Sequence, residues 1–362
     1  FHCLGLPHTK TTRDFSHCAY TQKVWKFCKM MKDRGHYVIH YGVEGSNPPC
    51  DENVVVVSDE LWRSVYGSVE KQTSNFFGWN QNDDVYTAFL EKGAAEVNAR
   101  KEYGDFLLPF FGYGVKKLCD EVEGIIVVEP GIGYPDGQFA DYKVFESYAM
   151  LHSCWGADRV RTAIPNWYDV VIPNYFDIDE FDFCDKKEDY FLYIGRVIKG
   201  KGVGIAIEVC KQLGIKLKVA GHLDQSFVDN RDDWDSNIEY CGPVLPEERS
   251  KLIGGALGTF VPTWYVEPFG GVQVESLLCG TPTLTTDWGA FVENNIHGVT
   301  GYRCRTFRDF CLSAERLIQG KIDYKVCREH GEKFSLENIA PKYEKYFRDV
   351  LDAYEGDGWY SL

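Results

Sequence analysis

Residues 262–275 read PTWYVEPFGGVQVE and contain two carboxylates in different settings. Glu267 lies in a loop, and Glu275 lies inside a helix that we predict to begin near Gly270. The two glycines allow backbone N–H groups at the start of that helix to approach an anion closely, and the helix dipole favours negative charge there. Glu275 has two acceptor oxygens and can bind both hydroxyls of a ribose. The stretch therefore predicts a site for a nucleoside diphosphate.

A second loop carries the cations that such a site needs. Residues 195–202 read GRVIKGKG and follow an apolar run at 190–194 that we interpret as a strand. Arg196 and Lys201 in this loop would neutralise charge that grows on a departing diphosphate. The structural alternative is a solvated surface turn, which the position directly after a strand disfavours.

The order of apolar runs and helical patterns predicts an α/β fold with parallel sheets. In the second half we predict strands at 190–194, 216–220, 238–241, 258–261 and 281–285, with helices at 203–213 and from near Pro246 and Gly270. The first half begins with an apolar run at 1–6, a helix at 22–34 and a strand at 36–41. Two βαβ halves in 362 residues indicate two Rossmann-like domains, residues 1–176 and 177–339.

The motifs of the second half resemble those of a known family. The phrases EPFG at 267–270, CGTPT at 279–283 and HGVTG at 297–301, with Gly-Arg and Lys-Gly in the 195–202 loop, resemble the GT-B glycosyltransferases of family 4, also called glycosyl transferases group 1. The resemblance implies two Rossmann-like domains that face each other across a cleft, with a C-terminal helix at about 340–362 that crosses back to the first domain.

The resemblance also implies a reaction and assigns roles to residues. It implies metal-independent transfer of a hexose, with retention, from a UDP- or GDP-sugar to an acceptor hydroxyl, with no bound cofactor. The implied catalytic residues are Glu267, Arg196 and Lys201, and the implied donor-binding residues are Gly195, Phe269, Gly270, Gly271, Val272 and Glu275. An epimerase or phosphorylase of the same fold, or an inactive nucleotide-sugar-binding scaffold, remains an alternative because fold alone does not determine function.

The first half departs from the family pattern where a sugar or acceptor would bind. The loop PHTKTTR at 7–13 replaces the usual glycine-rich loop, and its His8 and Lys10 can either bind phosphate or supply ordinary loop polarity. The strand predicted at 124–129 ends in Glu129, which either orients the sugar or acceptor or caps the strand. His152 on a predicted helix is a further candidate, with a packed or solvated histidine as the alternative.

Bulk properties limit the partners and the location. The net charge of -15 disfavours a nucleic-acid acceptor and leaves a glycan, a lipid-linked sugar or a small molecule. Thirteen cysteines without metal-ligand spacing favour reduced core residues and a cytoplasmic protein. The oligomeric state stays open.

Two groups of apolar and aromatic residues have open interpretations. Apolar residues recur at helical spacing among lysines at 23–32, which favours a buried helix over one lying on a membrane surface, although peripheral membrane contact stays open. Trp264, Tyr265 and Trp288 can stack on a sugar or base, or fill the core.

Overall fold

The computed structural model describes residues 1–74, 78–158, 167–224, 234 and 236–356. The chain divides into two compact units. The first comprises Phe1–Glu146, Leu151–Tyr175 and the C-terminal segment from Leu336, and the second comprises Ser147–Met150 and Phe176–Ser335. Residues 147–150, which the sequence analysis assigns to the first domain, therefore group with the second unit.

The first unit is built on a seven-stranded sheet. Its strands are β1 (His2–Leu4), β2 (Ile39–Val43), β3 (Glu52–Val57), β4 (Phe106–Pro109), β5 (Ile126–Ile132), β6 (Tyr142–Phe145) and β7 (Asp169–Val171). They lie in the order β3-β2-β1-β4-β5-β6-β7, and each neighbouring pair is parallel. Parallel neighbours require crossover connections, which the helices of this unit supply.

The second unit contains a six-stranded parallel sheet. Its strands are β8 (Tyr190–Ile194), β9 (Lys216–Ala220), β10 (Ile238–Gly242), β11 (Thr259–Val261), β12 (Thr283–Thr286) and β13 (Gly301–Cys304). Their order is β10-β9-β8-β11-β12-β13, the order of a dinucleotide-binding Rossmann sheet. In such sheets, ligands bind at the carboxyl ends of the strands where the order reverses, which here is between β8 and β11. The predicted α/β class with two Rossmann-like sheets is confirmed.

Helices pack against both sheets. In chain order they are α1 (Ala19–Asp33), α2 (Asp59–Tyr66), α3 (Val69–Ser74), α4 (Asp84–Arg100), α5 (Lys116–Asp120), α6 (Tyr148–Asp158), α7 (Val203–Leu213), α8 (Pro246–Gly255), α9 (Gly271–Leu278), α10 (Phe291–Asn294), α11 (Phe307–Ile318), α12 (Tyr324–Glu332) and α13 (Leu336–Glu355). The last of these belongs to the first unit, where Arg34 on the turn after α1 forms an ion pair with Glu344 at 2.9 Å. The predicted return of the C-terminal helix to the first domain is therefore confirmed.

Helix α1 is a core helix. Val24, Phe27, Cys28 and Met31 are all fully buried in the core of the first unit, as the sequence favours. Lys23 on the same helix is buried as well, with 3% of its surface exposed. Its Nζ donates to the carbonyl of Gly131 at 2.6 Å and forms an ion pair with Glu146. A buried lysine needs such partners, because an unpaired buried charge is costly.

All thirteen cysteines are free thiols, nine of them buried. Within the described ranges, no helix combines the length and the apolar character needed to cross a membrane. Over those same residues, no group of three or more His, Cys, Asp or Glu side chains is arranged to hold a metal ion.

Candidate functional site

The loops that follow β8 and β11 are in direct contact. The backbone N–H of Trp264 donates to the carbonyl of Gly200 at 3.0 Å. Gly202 has a φ of 75°, and a Cβ at this position would lie 2.0 Å from the carbonyl oxygen of Pro262. Only glycine tolerates both the left-handed conformation and this approach. The glycines of the 195–202 loop therefore allow the two predicted parts of the site to meet.

Lys201 and Glu267 form an ion pair at this junction. The Nζ of Lys201 lies 2.9 Å from Oε2 and 3.2 Å from Oε1 of Glu267, and 4.9 Å from the centroid of the Tyr265 ring. Burial lowers the pKa of Lys201, but Glu267 and Tyr265 outweigh burial and raise the pKa above its usual value. The backbone of Glu267 is held by Ala290, whose N–H donates to the Glu267 carbonyl at 2.9 Å. Lys201 is therefore a fixed cation.

Arg196 and Gly195 lie at the start of the same loop. The Arg196 side chain is exposed, and its carbonyl accepts a 2.6 Å hydrogen bond from the hydroxyl of Tyr193. The N–H of Gly195 donates to the carbonyl of Ala220 at 3.0 Å, so this amide already has an acceptor. In this loop, the Arg196 side chain is therefore better suited to bind a phosphate than the Gly195 amide is.

Helix α9 begins directly after the Glu267 loop. Gly270 precedes the helix with a φ of 83°, and a Cβ there would lie 2.4 Å from the ring of Phe291. Gly271 and Val272 are its first two residues, and N–H groups at this end of an α-helix have no acceptor within the helix. Both residues are partly exposed, so their amides are suited to an anion.

The placement of Phe269 corrects its predicted role. Its ring is 2% exposed and packs against Phe176 at 6.1 Å and Phe334 at 5.6 Å between ring centroids. A ring buried in this way contributes to the core of the second unit. Phe269 therefore fixes the start of α9 and does not present its ring to a donor.

Glu275 on α9 is paired with an arginine on a different helix. Arg249 on α8 donates from Nε to Oε2 of Glu275 at 2.7 Å, and its Nη2 contacts the same oxygen. The Glu275 side chain is 14% exposed. Spacing along the chain gives no signal for this pair, because the two residues lie on different helices. Arg249 fixes one oxygen of the carboxylate and orients the other.

His8 and Lys10 are both buried in the loop after β1. The Nδ1 of His8 hydrogen-bonds to the hydroxyl of Tyr86 at 2.9 Å, and burial lowers the pKa of His8 to about 3. Lys10 forms an ion pair with Asp59 and lies 5.2 Å from the Trp62 ring centroid. These contacts favour ordinary loop structure over phosphate binding for both residues.

Glu129 is fully buried on β5 and organises the segment that follows. Its carboxylate accepts hydrogen bonds from the hydroxyl of Tyr134 at 2.8 Å and from the N–H groups of Phe139 and Ala140 at 2.8 and 2.9 Å. Burial raises the pKa of Glu129 against the effect of these bonds. This geometry favours the structural alternative.

His152 lies on α6 with an exposed side chain. Its ring centroid is 5.7 Å from that of Trp155 on the same helix.

The match to a known protein family lies in the second unit, which also contains the Lys201–Glu267 pair. Residues 177–334 match the model of the family described as glycosyl transferases group 1, and this range nearly coincides with the second unit. Sucrose synthase 1 of Tulipa gesneriana is 34% identical over 102 residues, which are 27% of this chain and 12% of that protein. The capsular polysaccharide biosynthesis glycosyltransferase CapM of Staphylococcus aureus is 25% identical over 178 residues, 45% of this chain and 47% of CapM.

The whole chain has structural relatives as well. The structure of Anabaena HepE in complex with UDP and glucose superposes with a TM-score of 0.66 at 14% identity, covering 91% of this chain and 96% of HepE. This chain thus spans at most about half the length of the two sequence relatives but nearly all of the structural one. Residues 177–334 are thus similar to the glycosyl transferases group 1 family, and the chain as a whole has the GT-B fold.

Proposed function

We propose that this protein is a glycosyltransferase that moves a hexose from a nucleoside-diphosphate donor to an acceptor hydroxyl, with retention and without a metal ion. The observation that carries the proposal is the Lys201–Glu267 pair, 2.9 Å apart, at the junction of the β8 loop and the β11 loop. The match of residues 177–334 to the family model of glycosyl transferases group 1 supports it. The UDP and glucose bound to HepE, which shares the fold, support a UDP-sugar as the donor.

The site has a group for each part of such a donor. Arg196, Lys201 and the first amides of α9 would hold the diphosphate and stabilise its charge as it leaves. Glu275, oriented by Arg249, would bind the ribose with its free oxygen. Glu267 would bind hydroxyls of the transferred sugar and stabilise positive charge at the anomeric carbon.

Binding would rearrange the Lys201–Glu267 pair. Lys201 bonds Glu267 in this structure, and a diphosphate would compete for the same Nζ protons. Glu267 would then be released towards the sugar. In the front-face route to retention, an oxygen of the leaving phosphate takes the proton of the acceptor hydroxyl, so the chain itself needs no separate general base at this site.

Three substitutions test the site assignment. We expect Glu275→Ala mainly to weaken donor binding, and Arg196→Ala and Lys201→Ala mainly to slow turnover. UDP release from UDP-glucose with and without acceptors measures both effects. Unchanged kinetics in all three variants would refute the site.

The same assay separates the alternatives of this fold. A transferase hydrolyses its donor slowly without acceptor, an epimerase interconverts nucleotide sugars, and an inactive scaffold binds without turnover. A thermal-shift screen of nucleotide sugars identifies the donor first, because a ligand at 100 times its Kd adds about 2.7 kcal/mol of stability.

A further inference from the structure

A pocket of about 290 Å³ lies in the second unit at the carboxyl ends of β12 and β13. Its size is just below that of pockets for drug-sized molecules, which span roughly 300–1,000 Å³. Its lining includes Trp264, Trp288, Phe307, Phe310, Thr286 and Arg305. None of these residues is part of the donor site described above.

The pocket presents aromatic surface to solvent. Trp264 is 55% exposed and Phe307 is 47% exposed, while Phe310 is buried and belongs to the core beneath. Single exposed aromatic residues are common, but several around one concavity are characteristic of binding sites. The face of a pyranose ring that carries axial C–H bonds is apolar and slightly positive, and it packs well on the negative face of an aromatic ring.

Three cations lie beside the pocket, namely Arg303, Arg305 and Lys199, whose Nζ is 6.0 Å from the centroid of the Trp264 ring. Asp287 accepts from Nε of Arg305 at 2.8 Å and lies 3.3 Å from Nε of Arg303, so one carboxylate offsets both cations in part. A second bond from Arg305 goes to the Asp287 carbonyl at 3.4 Å. A guanidinium has five N–H donors, which leaves donors on Arg305 for hydroxyl groups. Arg305 can therefore donate hydrogen bonds to the hydroxyl edge of a sugar.

The pocket is also linked to the donor loops. The indole N–H of Trp288 donates to the carbonyl of Tyr265 at 3.2 Å, and the Tyr265 ring contacts Lys201. The backbone of Trp264 is bonded to Gly200 in the β8 loop. A ligand in the pocket would therefore lie against the loop that carries Glu267.

We propose that this pocket binds one neutral hexose unit of the saccharide that accepts the transferred sugar. The assignment to the acceptor rests on the proposed glycosyltransferase function. The binding of a neutral saccharide does not rest on it, because it follows from the aromatic rings and from Arg305.

Calorimetric titration of the full chain, without donor, tests the proposal. The probes are maltotriose, cellotriose and chitotriose, and we expect at least one to bind. Trp264→Ala should weaken that binding about tenfold, and Trp264→Phe should restore most of it, since stacking needs only an aromatic face. Trp167→Ala is the matched control, because Trp167 is 69% exposed and lies in the other unit. Phe307→Ala repeats the test if Trp264→Ala does not fold.

Specific results would overturn the proposal. The proposal fails if none of the three saccharides binds, or if a saccharide binds equally well to Trp264→Ala and to the native chain. It also fails if Lys201→Ala abolishes saccharide binding, because that result would place the saccharide in the donor site. Competition by uridine that depends on Trp264 would show a base pocket instead. If a saccharide binds as expected but no nucleotide sugar stabilises the chain, the proposed function fails and the pocket stands.

Discussion

Replacing Lys201 by methionine removes the cation from the Lys201–Glu267 pair and keeps most of the side-chain volume. The side chains of Lys201 and Glu267 are 24% and 10% exposed, so the Glu267 carboxylate would lose its counter-charge with little access to water. Breaking a fully buried pair costs roughly 3–5 kcal/mol, and an exposed pair contributes about 0–1 kcal/mol. For this intermediate burial we expect a loss of about 2 kcal/mol, or about 5 °C in Tm.

Thermal unfolding of Lys201→Met, Glu267→Gln and the double variant measures this pair. The coupling energy should be about 1–2 kcal/mol, because each single variant already removes the contact. Lys216→Met is the matched control, since Lys216 pairs with Asp189 at a similar 2.8 Å but the two side chains are 62% and 79% exposed. The control should cost at most about 0.5 kcal/mol. Additive losses in the double variant would refute the coupling.

The same variants distinguish a structural pair from a donor site. If Lys201 binds the diphosphate, UDP should stabilise Lys201→Met much less than it stabilises the native chain. If UDP raises the Tm of both by the same amount, Lys201 stabilises the junction of the loops but does not bind phosphate, and its predicted role is wrong.

Three further perturbations follow from the geometry. Gly202→Ala places a Cβ 2.0 Å from the carbonyl oxygen of Pro262 at a φ of 75°, so the loops must separate; we expect a loss of about 1–3 kcal/mol and weakened UDP binding in a thermal-shift titration. Arg249→Ala leaves Glu275 without its orienting partner and should weaken UDP binding about tenfold by calorimetry, with Arg249→Lys intermediate; unchanged affinity in both variants contradicts a ribose role for this pair. In the folded chain the pKa of His8 is lowered to about 3, below the 6.5 of an unfolded histidine. Between these two pH values the unfolded chain binds more protons than the folded chain, so the free energy of unfolding falls as the pH drops through that window. Urea unfolding from pH 7 to 4 should show a shallower decline for His8→Gln than for the native chain.

The second unit could be predicted closely from the sequence because its signals are local. The predicted elements at 190–194, 203–213 and 216–220 coincide with β8, α7 and β9. Each is an uninterrupted apolar or amphipathic run, and glycines in left-handed conformations at 202 and 214 bound the helix. Local composition therefore determines both the ends of these elements and the loop that carries Lys201.

Long-range contacts explain where prediction failed. The sequence predicts a strand from Gly124 to Glu129 and a loop from Pro130 to Gly137, whereas β5 continues to Ile132. A charged residue and a proline normally mark the end of a strand, but the carboxylate of Glu129 is satisfied by donors at positions 134, 139 and 140. The sequence also did not predict β13, α11 and α12. Phe269 was predicted to bind the donor because the residues that bury its ring, Phe176 and Phe334, lie far away in the sequence.

Buried contacts in the first unit also bear on which residues are suited to bind the acceptor. Three of the four candidates that the sequence predicts in the first unit, His8, Lys10 and Glu129, make buried contacts within that unit, whereas the fourth, His152, is exposed. A side chain held in this way must break those contacts before it binds a substrate, and that cost weakens any site built on it. The rings of Trp264 and Phe307 are already exposed, so stacking on them mainly removes apolar surface from water. The contact to displace at Trp264 is the Nζ of Lys199, 6.0 Å from the ring centroid. If a neutral saccharide is the acceptor, recognition should therefore depend more on these aromatic rings than on the buried charges of the first unit.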